Sequence, residues 1–326
     1  MLKYLAKRAA VYAVLIIVTT SIAYFLASSF FRPGELLEQQ TPRPTKEQID
    51  NSLRVIGLDP QLSAWERYVQ WLSNIVFHWD WGRTPEGGFV NHEFGIRVWV
   101  SARLFFAATL LSLVIGVAFG VYSGIKQYSF GDRLLTGYSY WIFILPSPIA
   151  YLLIQFAFVD LNQSLGEQVF FVTGSSSVDV EGFWNVVLDQ LRHYFVPTFA
   201  MTVMAWAGYQ VSMRQFLLDN VNADYVRTAR ATGLTRGQAI SKHALRVSAI
   251  PVAQSVAYVI PGIFTGSFFA EAIFNWPGVG LWALQALYHQ DINSMTALTA
   301  FGSCLTAVSF ILADFVTVLV DPRVRI

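Results

Sequence analysis

Six stretches of this chain are long and apolar enough to cross a bilayer, and nothing else in the sequence narrows its fold as much. They cover residues 9–31, 104–125, 134–159, 195–213, 248–270 and 294–320. A hydrocarbon core about 30 Å thick takes roughly 20 apolar residues in an α-helix. Peptide groups in that layer find no water, so they must be satisfied within a helix or a closed barrel. Amphipathic alternation at strand period is absent. The expected fold is therefore all-α, a polytopic membrane protein with six transmembrane helices. Composition agrees: 54% of residues are hydrophobic and 13% charged, against about 25% charged in ordinary soluble domains. The first apolar run follows Lys3, Lys7 and Arg8 but exceeds the roughly 7 to 15 residues of a cleaved signal, so it is read as a retained span.

Lys and Arg near short loops set the orientation of such a chain. They gather at the amino terminus, in the second-to-third loop (Lys126, Arg133), in the fourth-to-fifth loop (Arg214, Arg227, Arg230, Arg236, Lys242, Arg246) and in the tail (Arg323, Arg325). The loops 160–193 and 271–293 carry Arg192 against Asp160, Glu167, Asp179, Glu181, Asp189, Glu271 and Asp291. Both termini are thus expected in the cytoplasm, in a multi-pass membrane protein. The same bias accounts for the basic loops without nucleic acid, and membrane lipid is the expected surroundings. Residues 32–97, broken by Pro33, Pro42, Pro44 and Pro60, form an external subdomain between the first two spans. Within it Ala64 to Phe77 reads as an amphipathic helix carrying Trp65, Tyr68 and Trp71, expected to lie on the outer surface of the membrane, with contact to an external partner as the alternative.

Gly116, Gly120 and Gly124 clear one face of the second span for close helix packing. Pro146 and Pro148 in the third span, and Pro261 with Gly262 in the fifth, remove or weaken helical hydrogen bonds and allow bends or hinges. Catalytic machinery is not legible. There is no phosphate-binding loop and no zinc spacing, the five His residues are scattered, and Cys304 stands alone in the sixth span. The chain is read as no enzyme and as holding no cofactor or metal.

The segment 217–247 is different. Between two apolar spans stands DYVRTARATGLTRGQAISKHALR, in which Val226, Ala229 and Gly233 form a face of small residues where a partner backbone could sit close. Gly233 supplies the left-handed residue that ends a helix, and Thr235 with Gln238 forms a capping-box start for the next. Two short helices at a tight turn are expected, with Arg227, Arg230 and Arg236 on the solvent side to orient an acidic partner.

The spacing Arg-Thr-Ala-x-x-x-Gly at 227–233 resembles the EAA motif of permease subunits of bacterial ATP-binding cassette (ABC) importers. DYVRTARATGL followed by HALR at 243–246 is similar to the oligopeptide/dipeptide branch, with Thr232 where that branch usually has Lys. Arg32 to Gly34, Gly57 to Pro60, Trp79 to Thr84, Ile144 to Pro148, Phe274 to Gly280 and Asp321 to Arg325 resemble further patches of its B-type permease, in order along residues 1–326. The resemblance implies a single permease domain of type I importer fold, in the bacterial cytoplasmic (inner) membrane. It implies a second homologous permease, two ATP-binding subunits that hold ATP and Mg, and an external substrate-binding protein or lipoprotein. Coupling to the ATPases would pass through Tyr225, Arg227, Thr228, Ala229, Arg230, Gly233 and Leu234. The cargo would be oligopeptides or dipeptides, with glutathione or nickel chelates as alternatives on the same machinery. An ion-driven secondary transporter or a membrane-embedded hydrolase would need paired intramembrane charges, repeats or a catalytic constellation, none of which is clear. Acidic groups at apolar boundaries are costly and often functional. Glu271, with Asn275 and Trp276, is therefore expected at an external gate or as an interfacial carboxylate capped by a neighbouring helix, and Asp314 in a contact with the partner permease.

Overall fold

Long helices carry the chain, as its apolar runs demand. The structure, a computed structural model, describes residues 2–39 and 41–320. The expected Asp321–Arg325 patch and the side chain of Asp314 lie outside the described residues. Among the described residues four helical stretches are long and apolar enough to cross a membrane: Lys7–Glu38, Val90–Ile125, Arg236–Ile273 and Ile292–Ala313. The third expected span is not one helix. It divides into α6 (Phe130–Ile144) and α7 (Ser147–Leu165), bent by 109°. Pro146 is the N-cap of α7, and proline disfavours the helical conformation of the residue before it, so Leu145 leaves α6 in an extended conformation. The fourth expected span sits inside α8 (Phe183–Val221). It is long enough to cross but carries Asp189, Arg192, His193, Gln210, Arg214 and Asp219, and is less apolar than the four.

The second and fourth helices extend well beyond the expected spans. α5 (Val90–Ile125) begins inside the stretch assigned to the subdomain and has 36 residues, about 54 Å of helix. It lies along α8 because its glycines allow it. A Cβ on Gly116 would stand 2.5 Å from the Trp206 carbonyl oxygen, and one on Gly120 2.7 Å from that of Gln210. Around this pair pack α11 (Leu245–Thr265) and α14 (Ile292–Val320), with α1 (Leu2–Phe30) against α14. Tyr12 stacks on Phe310, and the Thr19 and Ser303 hydroxyls lie 3.1 Å apart. The outward faces of α1 and α5 expose Val14, Ile17, Ile22, Leu110 and Val114, the surface a bilayer would cover.

Pro261 does not interrupt its helix. α11 runs through both Pro251 and Pro261 and stops at Gly266 (φ 71). Residues 31–89 fold as α2 (Pro33–Glu38), α3 (Lys46–Val55), α4 (Ala64–His78) and a turn closed by an Arg83–Phe89 bridge. α3 and α4 both start with capping boxes, Thr45 with Gln48 and Ser63 with Glu66. Only part of the aromatic face of α4 is turned to its surroundings. Tyr68 and Trp71 are buried against Tyr24 of α1 and Leu58, while Trp65 is exposed. α4 therefore docks on the first long helix through the residues expected to lie on the membrane surface.

Candidate functional site

The charged segment emerges where α8 ends at Val221 and Asn222. α9 (Asp224–Ala231) closes with a left-handed glycine. The Gly233 N–H donates to the Arg230 carbonyl and the Leu234 N–H to that of Ala229, at 3.0 and 3.3 Å, with Gly233 at φ 100. This is a Schellman ending. Its apolar partner is present, since Leu234 packs against the cluster of Met213, Leu217, Val226, Ala229, Ile240 and Val252.

That cluster reverses one expectation. Val226 and Ala229 are 1% and 8% exposed, so these two members of the small-residue face are turned into the protein, where they root α9 on α8 and α11. The opposite face is open: Tyr225, Arg227, Thr228, Arg230 and Gly233 are exposed. Tyr225 is tethered by its hydroxyl donating to Asn220 Oδ1 at 2.7 Å, and Arg227 faces Asp224 at 3.8 Å in open solvent. The second short helix is also longer than expected. Thr235 and Gln238 form the capping box, but α10 (Arg236–Ala239) passes through a π turn at Ile240–Ala244 directly into α11. The second short helix and the long helix after it are thus continuous, and α9 is set off from them by the Gly233 turn.

Glu271 and Trp276 lie at the other end of α11, both fully buried. The Ser101 hydroxyl of α5 donates to Glu271 Oε1 at 2.6 Å, the Leu281 N–H donates to Oε2 at 3.0 Å, and Ser101 Oγ accepts from the Val279 N–H at 2.8 Å. Trp276 donates from Nε1 to the Val100 carbonyl at 3.1 Å and meets Tyr194 edge-on at 4.6 Å. Together they brace α12 (Phe268–Ile273) and α13 (Val279–Tyr288) against α5. The carboxylate is capped by a neighbouring helix, one of the two arrangements expected for it. Asn275 is exposed at the turn, in a left-handed conformation at φ 46.

Between these two regions lies a cavity of about 530 Å³. The broken third span forms one wall (Phe143, Leu145, Ser147, Tyr151), with Met204 and Tyr209 of α8 opposite. Sequence reasoning did not single out these lining residues. The only signal was the Leu-Pro-Ser-Pro break itself. Among the described residues no group of three or more His, Cys, Asp or Glu is placed to hold a metal.

A helical membrane scaffold with a rooted, charged knuckle at one end and a cavity at a broken helix defines a transport subunit. Residues 116–326 match the family model "Binding-protein-dependent transport system inner membrane component", and the chain belongs to that family. It is 36% identical to the oligopeptide transport system permease protein OppB of Mycobacterium tuberculosis, over all of both chains. It is 29% identical to the oligopeptide transport system permease protein AppB of Bacillus subtilis over 90% of each chain. With the dipeptide transport system permease protein DppB of Escherichia coli it shares 27% over 84% of each. The chain is accordingly an ABC transport permease of the inner membrane, one component of a complex with binding-protein, permease and ATPase parts, and not an enzyme.

Proposed function

We propose that this chain is a permease subunit of an importer for oligopeptides or dipeptides, driven by ATP hydrolysed on partner subunits. The observation that carries the reading is α9. Its apolar side is rooted in the protein, and its Arg227, Thr228, Arg230 and Gly233 side is exposed, one tight turn before the helix that continues into α11. Full-length similarity to oligopeptide and dipeptide permeases supports the cargo.

In this reading α9 and both termini face the cytoplasm, where the Lys and Arg bias puts them. The span count is six when α6 with α7 make one crossing and α8 another. A second homologous permease completes the pathway, two ATP-binding subunits dock on α9 with their ATP and Mg, and a binding protein delivers peptide to the side of α4. Closure of the ATPases moves the long helices as rigid bodies between inward-open and outward-open states. The α12–α13 brace, with Glu271, Asn275 and Trp276, serves as the external gate. Reconstituted complex should hydrolyse ATP faster with loaded binding protein, and Gly233→Asp should abolish that stimulation while leaving the complex assembled. Unchanged stimulation in the variant would remove the coupling role from α9.

A further inference from the structure

The ends of α5, α6 and α8 nearest α9 share a polar lock in which Asp132 is buried and Arg214 partly exposed. Arg214 of α8 grips Asp132 of α6 with two parallel hydrogen bonds, Nε to Oδ1 at 2.7 Å and Nη2 to Oδ2 at 3.0 Å. Asp132 is 2% exposed and also accepts from the Tyr128 N–H at 2.8 Å and the Thr136 hydroxyl at 3.2 Å. Tyr128 adopts a left-handed conformation, φ 65, that turns the α5–α6 loop onto the carboxylate. One turn up α8, Gln210 accepts from Ser139 of α6 at 2.8 Å and donates to Ser123 of α5 at 3.2 Å, all three residues being fully buried.

Burying an ion pair is a poor way to gain stability, since apolar residues of similar volume often do as well or better. A two-pronged Arg–carboxylate pair supplies geometry instead, resisting both sliding and rotation of one helix on the other. Here it joins α8, which leads directly into α9, to α6. The far end of α6 supplies Ile142 and Phe143 to the cavity wall, about 15 Å of helix beyond Asp132. α7 has no such lock. It meets α8 through aromatic side chains, Phe158 against Phe195 and Phe199, which can slip past one another.

We propose that Asp132 and Arg214 are positioning residues that force α6 to travel with α8, so that a push on α9 reaches the cavity wall at the Leu145–Pro146 break. This rests on α9 being the coupling element. The test uses the assembled importer in proteoliposomes, with peptide uptake and phosphate release measured together. Asp132→Asn keeps the shape and loses the charge; Arg214→Lys keeps the charge and loses the fork. Both should leave ATP hydrolysis near wild type and lower uptake per ATP by about three- to thirtyfold, the range expected for a broken coupling contact. The exchange Asp132→Arg with Arg214→Asp should recover part of the ratio, because the Tyr128 N–H then loses its acceptor. An unchanged ratio in both single variants, or uptake and hydrolysis falling together in both, overturns the proposal. Gly233→Asp run in parallel separates the layers. If it uncouples while the single variants do not, only the lock fails; if it too couples normally, the reading of α9 fails.

Discussion

At the scale of single residues, two glycines show how differently the same side chain can be required. Gly233 has no atom within 4 Å of a built Cβ but sits at φ 100, so its demand is conformational. Gly233→Ala should cost about 1 kcal/mol, loosening α9 without disturbing the helix bundle, and amide exchange of Ala231 to Leu234 should report it. Gly120 has an ordinary helical backbone, and its Cβ would strike the Gln210 carbonyl and Met213. Gly120→Ala should therefore separate α5 from α8, costing about 1 to 3 kcal/mol as an overpacking defect and lowering the melting temperature of the whole protein. Glu66 gives a pH response. The backbone N–H and hydroxyl of Ser63 hold its carboxyl below the ordinary range. A lowered folded value means the contribution is complete above the unfolded carboxylate range and lost as pH falls through the folded one. Amides in the first turn of α4 should exchange faster across that acidic window, and Glu66→Gln should flatten the response.

Among elements, the α12–α13 brace depends on one carboxylate serving two donors. In Glu271→Gln the amide offers one oxygen and one NH2, so either Ser101 or the Leu281 N–H faces a donor instead of an acceptor. Leaving a buried polar group unpaired costs about 1 to 3 kcal/mol. The variant should release α13 from α5, measured as increased protease sensitivity of the 274–281 turn. If Glu271 is also part of a gate, uptake should change beyond what that loosening explains. Uptake and docking of the binding protein both unchanged would leave Glu271 a purely structural carboxylate.

For the whole molecule, the testable matter is which way the ends face. With Cys304 replaced by Ala, Ser176→Cys and Thr228→Cys each place one exposed thiol at opposite ends of α8. A membrane-impermeant maleimide added outside intact cells should label the first and spare the second. The reverse pattern would invert the assigned topology. Much of the architecture was legible from sequence because it follows from the solvent. Apolar runs of bilayer length must be helical, every fourth residue Gly must invite a close neighbour, and Thr235 with Gly233 must punctuate the segment between Ala231 and Arg236. These are local consequences of backbone hydrogen bonding and φ preference. What tertiary structure alone decided is which side of each element is used. It turned Val226 and Ala229 inward, folded α4 onto Tyr24 and brought Asp132 to Arg214 across 82 residues. Periodicity names the faces of a helix, but only the packing of the other helices determines which face meets protein and which is left for a partner or for lipid.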